Sequence, residues 1–425
     1  MIGVMFIVFI VLTLLSVPIA FVLGLSSMTW VSFSSFVPMV MLPQRLYAGL
    51  DSFTLLAIPL FILAGKLMAS GGISTRLIKL SAIMVGRFKG GLAYINIVVS
   101  MLFAGITGSA TADSSSIGSI LIPSMIQKGY AKDFSVAVTA TSSVIGILIP
   151  PSIPLVIYGI LMNQSISTLF IAGAIPGLLV GCVLMLISFI MAQKYDYPRD
   201  EIFTLKEALL TTIDGILPLL SIVIVLGGIL GGIVTPTEAA MLAVVYSFFL
   251  GFFVYKAFSI KDIPGIIIDT LKINGMVMLM VAAATAFSWI ITSQQIPMKI
   301  AQALLSFTQN RVILLMIFNI VLLIAGAILD LTPAMIIFVP VLAPIALELG
   351  VDPVHFAIIV VTNLGIGLFT PPVGACLFVS CSIAGINMKE AFRGFVPFFI
   401  GMFLVLILVT YIPEISLWLP GIIGR

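Results

Sequence analysis

Apolar runs of about 20 residues, each long enough to cross a bilayer, recur from one end of this sequence to the other. A soluble fold cannot cover so many of them with polar surface. Only 8% of the 425 residues are charged and 61% are apolar, against about 25% and about 45–50% in an ordinary soluble domain. The chain therefore reads as an all-α polytopic membrane protein. Crossings are expected near 2–24, 28–42, 53–69, 135–162, 170–192, 214–233, 239–255, 274–293, 354–385 and 395–418, of which 28–42 is short and rich in serine. The run Met1–Gly24 has no Lys or Arg ahead of it and no small-residue cleavage site, and so reads as a retained first helix rather than a signal peptide.

Several functions are disfavoured at once. The balance of 19 Lys+Arg against 16 Asp+Glu gives no basic face for nucleic acid. Cys182, Cys376 and Cys381 lie in apolar segments without metal-type spacing and read as buried and inert. The single His355 cannot build a metal cluster and reads as a helix-end residue. No phosphate loop, Ser/His/Asp set or zinc motif is visible, so enzymatic chemistry has no carrier.

Two further apolar stretches do not read as simple crossings. Stretch 93–126 is flanked by Arg87 and Lys89 on one side and by Lys128 and Lys132 on the other. Positive loops stay in the cytoplasm, which puts both flanks on one side of the membrane. Gly105 to Ser116, a run of small and polar residues, interrupts the middle and leaves limbs of about a dozen residues, short of a span. This describes a re-entrant helical hairpin whose polar tip must be buried in protein or line a cavity. The remaining charges agree. Arg76, Lys79, Lys194, Arg199, Lys206, Lys256, Lys261, Lys272, Lys389 and Arg393 fall in the same inner loops, while Arg45, Lys299, Arg311 and Arg425 fall outside. Both termini are then expected on the outer, periplasmic side.

The second apolar stretch, 312–346, is related to the first by a fixed offset. Pro150-Pro151 matches Pro371-Pro372 at a shift of 221 (371 − 150). The same shift, without a gap, carries Gly105 to Gly326, Thr111 to Thr332, Pro123 to Pro344, Gly146 to Gly367, Gly173 to Gly394 and Pro176 to Pro397. The crossings 135–162, 170–192, 214–233, 239–255 and 274–293 separate the two hairpins. Their odd number gives the repeats, 1–205 and 214–425, opposite orientations. Inverted repeats with interrupted helices are the architecture of secondary transporters, with the binding site near the midplane.

The interruptions carry chemistry. A proline leaves the carbonyl four residues earlier without its helical hydrogen bond. Pro150 and Pro371 thereby free Gly146 and Gly367, and Pro151 and Pro372 free Ile147 and Leu368. Unpaired carbonyls at membrane depth are hard ligands suited to sodium; the alternative is a pair of plain kinks. At the tips, Thr332-Pro333 reads as an N-cap followed by proline, with Thr111 as its partner by register and Asp113 in the first turn. Helix starts aimed at the midplane attract a carboxylate, and no Lys or Arg is expected near either tip. Asp113 and Asp330 serve either as simple caps or directly in the site. Glu238, in Thr235-Pro-Thr-Glu, reads as a capping residue.

The tip Gly105-x-x-Gly-Ser-Ala-x-Ala-Asp113, the pair within Ile149-Pro-Pro-Ser152, Gly-Ile-Val-Thr-Pro-Thr-Glu238 and Thr370-Pro-Pro-Val-Gly374 together resemble one family across essentially the whole chain. It is the large membrane subunit of the tripartite ATP-independent periplasmic (TRAP) transporters. The resemblance implies sodium-coupled import of a small organic acid such as a C4-dicarboxylate, sialic acid or sugar acid across the bacterial inner membrane. It implies two partners, a small four-helix membrane subunit and a periplasmic substrate-binding protein, no cofactor beyond sodium, and an elevator motion of hairpins and broken helices against a scaffold. Carried over by position, one sodium site comprises Thr107, Ser109, Gly146, Ile149 and Pro151, and the other Gly326, Asp330, Thr332, Gly367, Thr370 and Pro372. Thr111, Asp113 and Asn363 are candidates for substrate contact. A stand-alone sodium–dicarboxylate symporter is the nearest alternative, and a passive channel the alternative of another class.

Overall fold

The fold was taken from a computed structural model, which describes residues 2–15, 17–34, 37–199, 205–308 and 310–423. Arg425, assigned to the outer side above, lies outside the described residues.

Helices account for nearly all of it. The first half comprises α1 (Ile2–Leu14), α2 (Ile19–Phe33), α3 (Met41–Ala48), α4 (Ala57–Ser70), α5 (Ile73–Val85), α6 (Gly91–Thr107), α7 (Ala110–Ser116), α8 (Gly118–Gln127), α9 (Lys132–Ser142), α10 (Ile153–Met162) and α11 (Ile166–Lys194). The second comprises α12 (Leu205–Leu230), α13 (Pro236–Phe249), α14 (Ile263–Ser293), α15 (Ile296–Phe307), α16 (Arg311–Ile328), α17 (Leu331–Glu348), α18 (Pro353–Gly367), α19 (Ala375–Ala384), α20 (Met388–Tyr411) and α21 (Glu414–Ile423). Local chemistry sets the starts. Thr235 and Glu238 form a capping box at α13. Asp352 accepts from the amides of Val354 (2.8 Å) and His355 (3.2 Å) ahead of Pro353 at the first turn of α18.

The ends of the chain depart from expectation. The expected crossings 2–24 and 28–42 are instead α1 and α2, with the break between Leu14 and Ile19. Pro18 caps α2, because its ring lacks the amide that would carry α1 onward. The crossing expected at 395–418 ends earlier, at Tyr411 before Pro413. Residues 206–213, expected to precede the crossing 214–233 with Lys206 in an inner loop, lie inside α12. Cys182 is exposed on α11, whereas Cys376 and Cys381 are buried.

The offset of 221 extends well beyond the motifs that revealed it. Applied to α6 it gives 312–328, against Arg311–Ile328 for α16; applied to the end of α8 it gives 348, the last residue of α17. In the same way α9 maps onto α18, α10 onto α19, α11 onto α20, and α5 onto α15. Packing follows a two-fold exchange. Helix α4 packs on α13 as its counterpart α14 packs on α2, the counterpart of α13, and α20 packs on α9 as α11 packs on α18. The second limb of each broken helix crosses over to the other hairpin, α19 against α7 and α8, and α10 against α17.

The hairpin limbs are longer than the dozen residues expected. Helix α6 has 17 residues, and α16 and α17 have 18 each, enough by length to cross a membrane. What marks them as hairpins is that both flanks of each meet one bracing segment. On the first, Gly90 donates to the Pro198 carbonyl (3.0 Å), Lys89 pairs with Asp196, and Tyr130 donates its hydroxyl to Pro198 (3.3 Å) while its ring stacks on Tyr197 at 4.4 Å. On the second, Tyr411 donates to the Val312 carbonyl (2.8 Å), and His355, buried at the start of α18, touches Thr410 and Ser416 (3.3 Å each).

Candidate functional site

The site is built from two hairpin tips and two helix breaks. At the first tip α6 stops at Thr107, Gly108 turns left-handed (φ +61°), and Ser109 caps α7 by accepting from the Ala112 amide. At the second, α16 stops at Ile328 and Asp330 caps α17 from an extended backbone without a side-chain bond. The caps are therefore Ser109 and Asp330, related by the same offset of 221, and not Thr111 and Thr332. A Thr-Pro pair reads like a helix start, but Asp330 reaches extended backbone two residues earlier and Pro333 still falls in the first turn, where a missing amide costs nothing.

Each tip lies against the break of its own half. A Cβ on Gly108 would come within 2.6 Å of the Pro151 oxygen, and one on Gly146 would stand 3.8 Å from the Ser109 carbonyl. On the other side a Cβ on Gly326 would stand 3.3 Å from the Gly367 Cα, one on Gly367 would collide with the Gly326 carbonyl, and Val373 donates to Ala327 (3.2 Å). Thus Thr107, Ser109, Gly146 and Pro151 gather at one place and Gly326 meets Gly367 at another, where Asp330 and Thr332 face Leu368 and Pro372 adjoins Val373, while Thr370 turns its hydroxyl back to the Ile366 carbonyl (2.6 Å). Ile149 turns its side chain the other way, onto Gly177 of α11. Both Pro-Pro peptides are cis.

The four carbonyls that the prolines free are not equally open. Leu148 and Ile149 both donate back to Ile145 (3.1 and 3.0 Å), and residue 150 has no amide hydrogen, so none of these amides reaches Gly146. Ile147 accepts the Ser152 hydroxyl at 2.5 Å. Gly367 accepts the Thr370 amide (3.0 Å) and Leu368 the Cys376 amide (2.9 Å). The expectation of four unpaired carbonyls is corrected to one: a short turn, a hydroxyl and a helix start reclaim the other three. A carbonyl oxygen with one partner keeps a second lone pair, so Gly367 retains a place for a ligand.

Both tips face one cavity. A space of about 220 Å³ is lined by Ser109 and Thr111 from the first tip, Asp330 and Thr332 from the second, Ile147 and Leu368 from the breaks, and Met276 and Met280 of α14. It adjoins a second space of about 410 Å³, which shares Ser109 and Thr111 and adds Thr107, Ser115 and Ser116 with Lys66 of α4. Lys66 corrects the expectation that no cation lies near a tip. Its signal was present in the sequence, as the one charge inside span 53–69.

Asp113 and Asn363 do not line either space. Asp113 is buried behind the first tip, where it accepts the Ser100 hydroxyl at 2.8 Å. Its other oxygen has no protein partner among the described residues. Asn363 donates to Asn319 (2.6 Å), which donates to Thr410 (3.0 Å). Asn96 joins Thr139 (2.7 Å) and Ser142 (3.2 Å) in the first half. These interior networks fasten each hairpin to its broken helix; Asn96, Ser100 and Asn319 were missed because single polar residues in apolar helices carry no pattern.

The sequence matches the family described as tripartite ATP-independent periplasmic transporter, DctM component, over residues 6–415. It is 38% identical to the C4-dicarboxylate TRAP transporter large permease protein DctM of Vibrio cholerae, across 99% of this chain and 98% of that one. It is 39% identical to the sialic acid TRAP transporter large permease protein SiaM of the same organism, across 96% and 93%. In fold it is similar to the crystal structure of the Alcanivorax borkumensis YdaH transporter, with a TM-score of 0.56 at 14% identity, covering 94% of this chain and 97% of that one.

Proposed function

The chain belongs to the DctM family of tripartite ATP-independent periplasmic transporter components, and from that premise we propose that it imports a small organic acid across the bacterial inner membrane, driven by sodium. It is a transporter subunit and not an enzyme. The observation that carries the reading is the meeting of Ser109, Thr111, Asp330 and Thr332 in one cavity between two broken helices. The sodium ions would be held by oxygen atoms only: the Gly146 carbonyl with the Ser109 and Thr107 hydroxyls in the first half, the Asp330 carboxylate with Thr370 and the Gly367 carbonyl in the second. Sodium is a hard cation and fits such a donor set. The relatives named for C4-dicarboxylates and sialic acid support an acidic substrate.

The proposed motion is of elevator type. Hairpins and broken helices, joined through Asn96 and Asn319, would travel as one body past α4, α13, α14 and α2. The two halves would lie inverted in the membrane with both termini periplasmic. A periplasmic binding protein would deliver the acid, and a small membrane subunit would complete the complex. The test is uptake into proteoliposomes of a panel of labelled acids by this chain with and without both partners, under a sodium gradient. Uptake only with both partners and only with sodium is expected. Full uptake driven by protons in sodium-free buffer would overturn the coupling, and robust uptake by the chain alone would replace it with the stand-alone symporter.

A further inference from the structure

Lys66 is shared by two neighbouring spaces. It lines the space that holds Thr107, Ser109, Thr111, Ser115 and Ser116, and it also lines a depression formed with Ser70, Lys261, Asp262, Gly265 and Asp269. The latter residues belong to the loop and helix start around Lys261 and Lys272, whose positive charges place them on the cytoplasmic side. Lys66, partly buried as a residue, thus lies between the hairpin tip and the inner loop.

Among the described residues no acid claims it. Asp262 accepts from the Ser259 amide and hydroxyl (2.8 Å each), and Asp269 pairs with Lys272 at 3.4 Å. Among the described residues no carboxylate lies within ion-pair distance of Lys66. A lysine that buries its stem and has no fixed carboxylate partner keeps its ammonium available to a mobile anion. The architecture does not require a cation at this place. The residue related to Lys66 by the offset of 221 is Phe287, which is buried and stacks on Phe9 at 5.6 Å. The hydroxyls opposite are equally one-sided, since Ser115 and Ser116 map onto Ile336 and Ile337.

We propose that Lys66 binds the acidic group of the substrate as it leaves the hairpin tip for the cytoplasm, with Ser115 and Ser116 holding its remaining oxygens. The proposal rests on the organic-acid reading above. The ordinary alternative is that the ammonium merely snorkels toward the interface as an anchor, and charge reversal at a fixed fold separates the two. In a chain whose three cysteines are replaced, Lys66→Cys offers a single thiol. The complex with both partner subunits is reconstituted, and the thiol is modified with either a cationic aminoethyl or an anionic sulfonatoethyl methanethiosulfonate. Uptake is then measured with whichever acid of the panel the parent transports.

Lys66→Cys is expected to raise the half-saturating acid concentration about tenfold, the scale of one partly screened charge, with half-saturating sodium unchanged. The aminoethyl adduct should restore it, and the sulfonatoethyl adduct should abolish uptake. Half-saturation that is the same for both adducts would overturn the role of Lys66 while leaving sodium-driven transport intact. Failure of the cysteine-free parent to take up any acid would instead strike the organic-acid reading itself. Should Lys66→Cys not reach the membrane, Lys66→Arg and Lys66→Gln carry the same contrast: near-parental half-saturation for the first and the tenfold rise for the second support the proposal, and equal values overturn it.

Discussion

The two helix breaks follow the same path 221 residues apart, yet they treat their oxygen atoms in opposite ways. In the first, the Gly146 carbonyl is left open and the neighbouring side chains are hydroxyls. In the second, Thr370 and Cys376 donate to Gly367 and Leu368, and the open oxygens are those of the Asp330 carboxylate. The matching amides reach different carbonyls, Ile145 from Ile149 in the first half and Gly367 from Thr370 in the second, and the side chains differ as well. Thr370 corresponds to Ile149, Ser152 to Val373, and Ser109 to Asp330. The duplicated halves have thus kept their Pro-Pro turns while differing in which main-chain oxygen is occupied and in whether the tip cap is a hydroxyl or a carboxylate. The halves should therefore respond differently to matched substitutions.

The largest difference is expected from the paired glycines. Gly367→Ala drives a methyl into the Gly326 backbone, which cannot step aside as a side chain could. A loss of about 1–3 kcal/mol or more is expected from such overpacking, read as a lowered melting temperature and poor recovery of the purified protein. Gly146→Ala, with nothing closer than 3.8 Å, should melt close to wild type. Equal losses would mean the two breaks are packed alike.

Next in size is Asp330→Asn, which removes the carboxylate charge from the cap of the second tip. Half-saturating sodium is expected to rise more than tenfold, about 1.4 kcal/mol or more, against a smaller rise for Ser109→Ala. The reverse order, measured as initial uptake against external sodium, would sink the assignment of charge to the second half.

Pro150→Ala and Pro371→Ala sharpen the same contrast at smaller scale. The first returns an amide to reach Gly146 and should raise half-saturating sodium severalfold. The second returns an amide to a carbonyl that Thr370 already holds, and should change it about twofold or less. The smallest effect is expected from Ser152→Ala, which removes the cap of α10 and the bond to Ile147. That should cost about 1 kcal/mol in thermal unfolding with little change in sodium dependence, whereas a large sodium effect would make Ile147 a ligand.

The Pro-Pro pairs and the glycines near them made the breaks readable from the sequence, because two successive missing amides interrupt a helix where single prolines such as Pro176, Pro218 and Pro397 are carried inside one. Both breaks and the offset came from them, whereas the first hairpin came from the positive flanks Arg87, Lys89, Lys128 and Lys132 and the polar run between them. The tip caps were misplaced by two residues because Thr332-Pro333 and Asp330 compete for the same role, and only backbone geometry decides. The short helices α5 and α15 went unseen, since a single apolar face of about a dozen residues is lost among longer runs. Asp113 and Asn363 looked like site residues because buried polar groups in membranes often are. Which way they point depends on partners such as Ser100 and Asn319, more than ten residues away in sequence.

The crossing of α19 onto α7 and α8, and of α10 onto α17, makes each half a structural support of the other's hairpin. Under the proposed sodium coupling, an ion that ordered the second break would steady α19, and with it the tip of the first hairpin. Binding at two such sites would be thermodynamically linked, and the linkage reciprocal. Uptake should rise with a power of the sodium concentration greater than one, and a carrier holding a single ion should be scarce.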